Sequence, residues 1–222
     1  MTGYPSLDPL NHPGCQLLQK LPSSESVLHS QSILSAADTD PMEGGATFPL
    51  THRLFRVAFS ITWLMLASWT PPFLKSWRRW LLTAYGADLH PTANVYASVR
   101  VWYPPNLKMG AYACLGPGVN AYCIAPITLG AYALVSQGSH LCAGTHDIED
   151  PHFQLRARPI SIGHHAWIAA GAFVGPGVTV GEGAVLGGRG VAFQDLQPWR
   201  VYSGNPAVFL KERRLRLPDR LD

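Results

Sequence analysis

From Ile162 to Val191 the chain reads IGHHAW IAAGAF VGPGVT VGEGAV LGGRGV. Every sixth residue is aliphatic: Ile162, Ile168, Val174, Val180 and Leu186. The place after it is small (Gly163, Ala169, Gly175, Gly181, Gly187), and the fifth place holds Ala166, Ala172, Val178, Ala184 and Gly190. Neither a helical period nor a heptad fits this spacing. A six-residue unit supplies one short strand and one turn. Three such units close a triangular coil, which pairs with the next coil through parallel strands. The aliphatic residue of each unit then points to the axis, and the small residues serve the turns. Each coil buries its apolar face only against its neighbours, so several must stack.

The register continues upstream. LGAYAL, VSQGSH and LCAGTH begin at Leu129, Val135 and Leu141; MGAYAC and LGPGVN begin at Met109 and Leu115; LHPTAN and VYASVR begin at Leu89 and Val95. Residues 147–161 (DIEDPHFQLRARPIS) interrupt it. A solenoid tolerates such an excursion as a loop from one corner, and these loops often carry function. His146 stands at its base. The repeat predicts an all-β parallel β-helix over residues 88–196, flanked by short N-terminal helices over 51–87 and a short helical tail within 197–222.

The flanks differ in composition. Residues 1–50 hold Ser, Pro, Gly, Gln and Asp without apolar periodicity, which reads as a disordered segment or an upstream extension. Leu54 to Trp69 (LFRVAFSITWLMLASW) is nearly all apolar. As a helix it reaches about 24 Å, short of the ~30 Å hydrocarbon core of a bilayer. Pro71 and Pro72 stop it. A second short helix, Lys75 to Tyr85, carries Trp77, Arg78, Arg79 and Trp80. Two readings fit these helices: packing on their own protein or a neighbouring subunit, which the sequence favours, and peripheral contact with a membrane surface. Lys211, Arg213, Arg214, Arg216 and Arg220 crowd the C-terminus. They form a solvated tail, or they meet a cofactor phosphate or an anionic membrane.

Composition narrows the function classes. Of 222 residues, 47% are hydrophobic and 14% charged, enough for one core with appendages. The net charge of +3, with no nucleic-acid-binding signature beside it, excludes nucleic acid as the expected partner. Cys15, Cys114, Cys123 and Cys142 show no CxxC spacing, so no zinc or redox motif and no metal site is expected. The expected compartment is the reducing cytosol, since no basic stretch followed by an apolar run marks a secretory signal.

Several stretches carry a resemblance: SWRRWLLTAYGA, APITLG, SQGSHLCAGTHDIEDPHF, ARPISIGHHAWIAAGAFVGPGVTVGEGAVLGGRGV and YSGNPAVFLKER. Over residues 51–213 the chain resembles the hexapeptide-repeat acyltransferase superfamily, in its galactoside and nodulation acetyltransferase branch. Within that branch it looks most like the colanic acid biosynthesis acetyltransferases. The resemblance implies a left-handed helix, a homotrimer, and acetyl-CoA as co-substrate in a groove between subunits. It also implies that His146, the histidine of a GTHD motif, is the general base. The chemistry agrees. A hydroxyl attacking a thioester must lose its proton, and imidazole has an ordinary pKa near ~6.5.

By the same resemblance Asn120, Tyr122 and Asp147 meet the acceptor, a hydroxyl on a sugar or glycan. Trp167, Ala170, Gly188, Phe193, Gln194 and Lys211 fall where relatives hold the donor. Two departures stand out: Cys123 occupies a place where relatives often carry Asn, and Phe193-Gln194 a place where they often carry Thr-Lys. Asp147, Glu149 and Asp150 are candidates to orient the imidazole. Cys142, four residues from His146, lacks a basic partner, so direct attack is the simpler route. Two alternatives use the same fold. One is a metal hydratase of the γ-carbonic anhydrase type, drawing on His140, His146, His152, His164 and His165. The other is a non-catalytic trimeric scaffold.

Overall fold

A computed structural model describes residues 47–215. The reading of residues 1–50 falls almost wholly outside the described residues, as do Arg216 and Arg220. The strands are numbered in chain order and wind around three faces. The first face stacks β1 (Asp88–Leu89), β4 (Leu107–Met109), β7 (Ile127–Leu129), β12 (Ile160–Ile162) and β15 (Thr179–Val180). The second stacks β2 (Asn94–Val95), β5 (Cys114–Leu115), β8 (Leu134–Val135), β13 (Trp167–Ile168), β16 (Val185–Leu186) and β18 (Arg200–Ser203). The third stacks β3 (Arg100–Val101), β6 (Asn120–Tyr122), β9 (His140–Cys142), β14 (Phe173–Val174) and β17 (Val191–Ala192). Every pairing between successive coils is parallel.

The register set by the hexads is the register of the core. Ile162, Ile168, Val174, Val180 and Leu186 are all buried, as are their equivalents Leu115, Leu129, Val135 and Leu141. Fifth-place residues Ala113, Ala133, Ala166 and Ala184 fill the corners between them. At the corner between the first and second faces the coils approach so closely that only glycine fits. A Cβ on Gly163 would lie 2.6 Å from the backbone nitrogen of Glu182 in the next coil, and Gly110, Gly130 and Gly181 meet the same obstruction.

Helices cover the first coil. Helix α1 (Leu50–Leu66) turns His52, Phe59 and Trp63 inward. Helix α2 (Lys75–Ala84) turns in Arg78, Leu81 and Leu82. Arg78 is buried without a carboxylate. Its Nε donates to the Val95 carbonyl at 2.8 Å, Nη1 to Thr70 Oγ1 at 3.0 Å and to the Pro71 carbonyl at 2.9 Å, and Nη2 to the Pro72 carbonyl at 3.2 Å. Its pKa is lowered by that burial. The guanidinium thus fastens the interhelical turn to the open edge of β2, and Arg79 adds a bond to the Ala93 carbonyl at 3.3 Å.

The described C-terminal segment corrects one expectation. It is not a helical tail. Strand β19 (Val208–Glu212) folds back antiparallel on β18, pairing Tyr202 with Phe209. The turn between them contains Gly204 at φ 100° and Pro206, residues that reverse a chain rather than continue a helix. Arg200 closes the pair through Glu212 at 3.1 Å and stacks on the Phe209 ring.

Candidate active site

The excursion leaves the corner between the third and first faces, after β9. Its arms are antiparallel: β10 (Gly144–His146) pairs with β11 (Leu155–Ala157), setting His146 opposite Leu155. The Arg158 N–H donates to the Ala143 carbonyl at 2.9 Å and closes the base. Asp147 accepts from Arg156 at 2.9 Å and from the Glu149 N–H at 3.2 Å. The Arg156 bond is the main reason the Asp147 carboxyl is held below its ordinary pKa. Asp150 accepts the His152 N–H at 2.8 Å.

His146 is exposed at the base of this hairpin, and its Nδ1 lies 2.6 Å from the Phe153 carbonyl oxygen. A carbonyl has no proton to give, so Nδ1 donates. The neutral ring then carries its free lone pair on Nε2, the form a general base requires. Phe153 stands at φ 48°, where the chain reverses toward His146. The orienting group is therefore a backbone carbonyl. Asp147, a sequence candidate for that role, is instead ion-paired to Arg156.

Of the three expected acceptor residues, Asn120 and Tyr122 lie on the third face, whereas Asp147 lies on the hairpin. Asn120 and Tyr122 line a cleft of about 540 Å³ between that face and α1, together with Arg56, Arg100, Trp102 and Ser60. Asn120 Nδ2 donates to His140 Nε2 at 3.3 Å, which fits a neutral His140 whose pKa is lowered by burial and by nearby Arg100. Arg56 lies 4.2 Å from the centre of the Trp102 ring. Arg100 and Trp102 precede Asn120 and Tyr122 by one coil, so only the coil register brings them together. The sequence reading missed them. His146 is not among the residues lining this cleft.

The residues expected to hold the donor are divided between sides of the prism. Phe193 and Gln194 follow β17 at the corner from which the excursion departs, and Phe193 meets Phe173 at 5.6 Å. Ala170 and Gly188 stack at the opposite corner of the third face, where the Arg189 N–H donates to the Ala170 carbonyl at 2.9 Å. Trp167 lies half-exposed on the second face and donates from Nε1 to Ser136 Oγ at 2.9 Å. Lys211 is exposed on β19 of the same sheet. Arg213, a candidate for phosphate, is held by the carbonyls of His165 and Gly183, both at 2.8 Å.

The described cysteines are poorly suited to attack. Burial pushes the Cys142 thiol up, and it donates to the Gly144 carbonyl at 3.3 Å. Cys123 is fully buried and pushed up to about 11. Among the described residues of one chain, no three His, Cys, Asp or Glu side chains come together as a metal-binding group.

A triangular β-helix of six-residue repeats, with a histidine hairpin projecting from one corner, defines a hexapeptide-repeat protein. No family model matches the chain. It is 43% identical over 146 residues to WcaF of Escherichia coli (strain K12), provisionally named a colanic acid biosynthesis acetyltransferase; the match covers 66% of this chain and 80% of that one. Among solved structures, a maltose O-acetyltransferase from Clostridium difficile 630 superposes with a TM-score of 0.67 at 21% identity, covering 75% of this chain and 90% of the other. A hexapeptide-repeat acetyltransferase from Vibrio cholerae, complexed with acetyl coenzyme A, does so with a TM-score of 0.67 at 20% identity, covering 78% and 95%. The chain belongs to the hexapeptide-repeat acetyltransferase superfamily.

Proposed function

We propose that the protein is an acetyl-CoA-dependent O-acetyltransferase acting, as a homotrimer, on a hydroxyl of a sugar or glycan intermediate, with His146 as general base. The observation that carries this reading is the 2.6 Å bond from His146 Nδ1 to the Phe153 carbonyl. It leaves Nε2 free on an exposed ring at the mouth of a corner. Nε2 takes the proton of the acceptor hydroxyl as its oxygen attacks the thioester carbon. A tetrahedral oxyanion forms, stabilised by a backbone N–H. It collapses with cleavage of the C–S bond, and the imidazolium returns the proton to the departing thiolate. No covalent enzyme intermediate is needed, in keeping with the protonated state favoured for Cys142.

Acetyl-CoA as donor is supported by the Vibrio cholerae relative that was crystallised with it. A sugar acceptor is supported by the maltose and colanic acid names of the other relatives. Asn120, Tyr122 and the arginines beside them supply hydrogen-bonding groups suited to a glycan. Trimerisation is supported by the division of the donor residues. A second copy would set the Trp167, Ala170, Gly188 and Lys211 side of one subunit against the His146, Phe193 and Gln194 corner of another.

The test is thiol release from acetyl-CoA across a panel of sugar acceptors, with wild type beside His146→Ala. Acceptor-dependent release that falls by about 10²–10⁴-fold in the variant is expected for a lost general base. Absence of CoA binding by the wild type would overturn the reading.

A further inference from the structure

We infer that the outer face of the two N-terminal helices is a docking surface for an anionic membrane, on which the protein lies without crossing it. The helix α1 places His52, Phe59 and Trp63 against the protein. A surface helix is ordinarily polar on its other side. Here that side holds Leu54, Val57, Ile61 and Leu64, at spacings of three and four, with Leu50 and Met65 beside them. All are more than half exposed. The apolar surface continues past the helix through Trp69, Phe73 and Trp80, the last stacked on Trp77 at 5.1 Å.

Three properties suit a lipid surface, and the first of them disfavours a second copy of the chain. The first is charge. From Thr47 to Ala87 there is no Asp or Glu, while Arg53, Arg56, Lys75, Arg78 and Arg79 are present. Arg53 and Lys75 are exposed beside the apolar face. An all-cationic border is self-repelling against another copy of itself and complementary to anionic headgroups. The second is polar satisfaction. The indole N–H of Trp69 already donates to the Met65 carbonyl and that of Trp77 to the Leu66 carbonyl, both at 2.7 Å. Entering an apolar medium therefore strands neither donor. The third is length. No helix among the described residues is long and apolar enough to cross a membrane, so α1 suits the interfacial plane.

The same helix supplies Arg56, Phe59, Ser60, Trp63 and, from the edge of its apolar face, Leu64 to the cleft that holds Asn120 and Tyr122. Docking on the outward side would bring that cleft close to the headgroups, where a lipid-linked acceptor would sit. That consequence rests on the proposed function; the docking itself does not.

The experiment is co-sedimentation of the full chain with vesicles, either phosphatidylcholine alone or phosphatidylcholine with phosphatidylglycerol. Wild type is compared with Leu54→Glu/Ile61→Glu and with Lys75→Glu. These side chains are exposed, so folding is retained, and circular dichroism and thiol release from acetyl-CoA check it. Wild type is expected to pellet with the anionic vesicles and to be released by salt. The double variant is expected to lose about 100-fold in partition, and Lys75→Glu several-fold. The inference is overturned if wild type stays in the supernatant with both vesicles, or if the double variant partitions like wild type. It is equally overturned if the double variant lowers the mass seen by light scattering, since the face would then join copies of this chain. Loss of vesicle binding with thiol release intact separates this inference from the catalytic reading.

Discussion

Gly163→Ala isolates the close approach of coils on which the β-helix depends. The added Cβ would stand 2.6 Å from the Glu182 nitrogen, 2.8 Å from the Gly181 carbonyl carbon and 3.0 Å from the Glu182 Cα. Backbone cannot swing aside as a side chain can. Carbon contacts settle at about 3.5 Å, so the coils must part by roughly 0.8 Å or more. The Gly163 N–H donates to the Val180 carbonyl at 2.7 Å, and that separation takes it to the limit of hydrogen bonding. Overpacking of about 1–3 kcal/mol plus about 1 kcal/mol for the weakened bond gives roughly 2–4 kcal/mol. At about 2–4 °C per kcal/mol for a chain of this size, the melting temperature falls by about 4–16 °C. Gly188→Ala is the matched control. Its Cβ would meet nothing closer than the Ala170 carbonyl at 3.5 Å, so the expected change is within about 0.5 kcal/mol. Melting is followed by circular dichroism at one protein concentration. If Gly163→Ala melts within 2 °C (roughly the effect of 1 kcal/mol) of Gly188→Ala, contact between coils does not explain the glycines.

Arg78→Met leaves the Val95, Pro71 and Pro72 carbonyls without their donor and is expected to cost about 3 kcal/mol; urea unfolding followed by tryptophan fluorescence measures it. Asp147→Asn removes the ion pair with Arg156. A solvent-screened pair of this kind adds little to stability, yet thiol release is expected to drop several-fold as the hairpin behind Phe153 slackens, while CoA affinity measured by calorimetry stays unchanged. His140 has its pKa lowered by burial, so the folded chain binds its proton less readily than the unfolded chain. The associated stability is present above the unfolded value near ~6.5 and is lost as pH falls through the lower folded value. The urea midpoint is expected to fall on acidification below pH ~6.5, and less steeply in His140→Gln.

The sequence exposed the β-helix because its period is written in the residues themselves. Ile162, Ile168 and Val174 lie six apart and all face the axis, and no distant contact is needed to see it. The apolar helix was legible for the same local reason, although it spans Leu50–Leu66 and ends at a turn ahead of Pro71. His146 was visible through its motif, but the Phe153 carbonyl was not, since a backbone acceptor leaves no mark on composition. The cleft was hidden for another reason. Arg100 and Trp102 reach Asn120 and Tyr122 only across a full coil, and Arg56 reaches Trp102 from a helix more than forty residues away. The C-terminal hairpin departs from the expected helical tail because the Gly204-Asn205-Pro206 turn reverses the chain.

The two terminations of the coil stack have a consequence for how the protein stays a discrete particle. A row of parallel strands is a template that another chain could extend, and an uncovered row invites filament growth. Here the first row is closed by arginine: Arg78 and Arg79 occupy the Val95 and Ala93 carbonyls that an incoming strand would need. The last row of the second face is closed by direction: β19 runs against β18, so a further coil cannot be added in the same sense. One end is blocked chemically and the other topologically, and the repeat that builds the molecule is thereby kept from building a fibre.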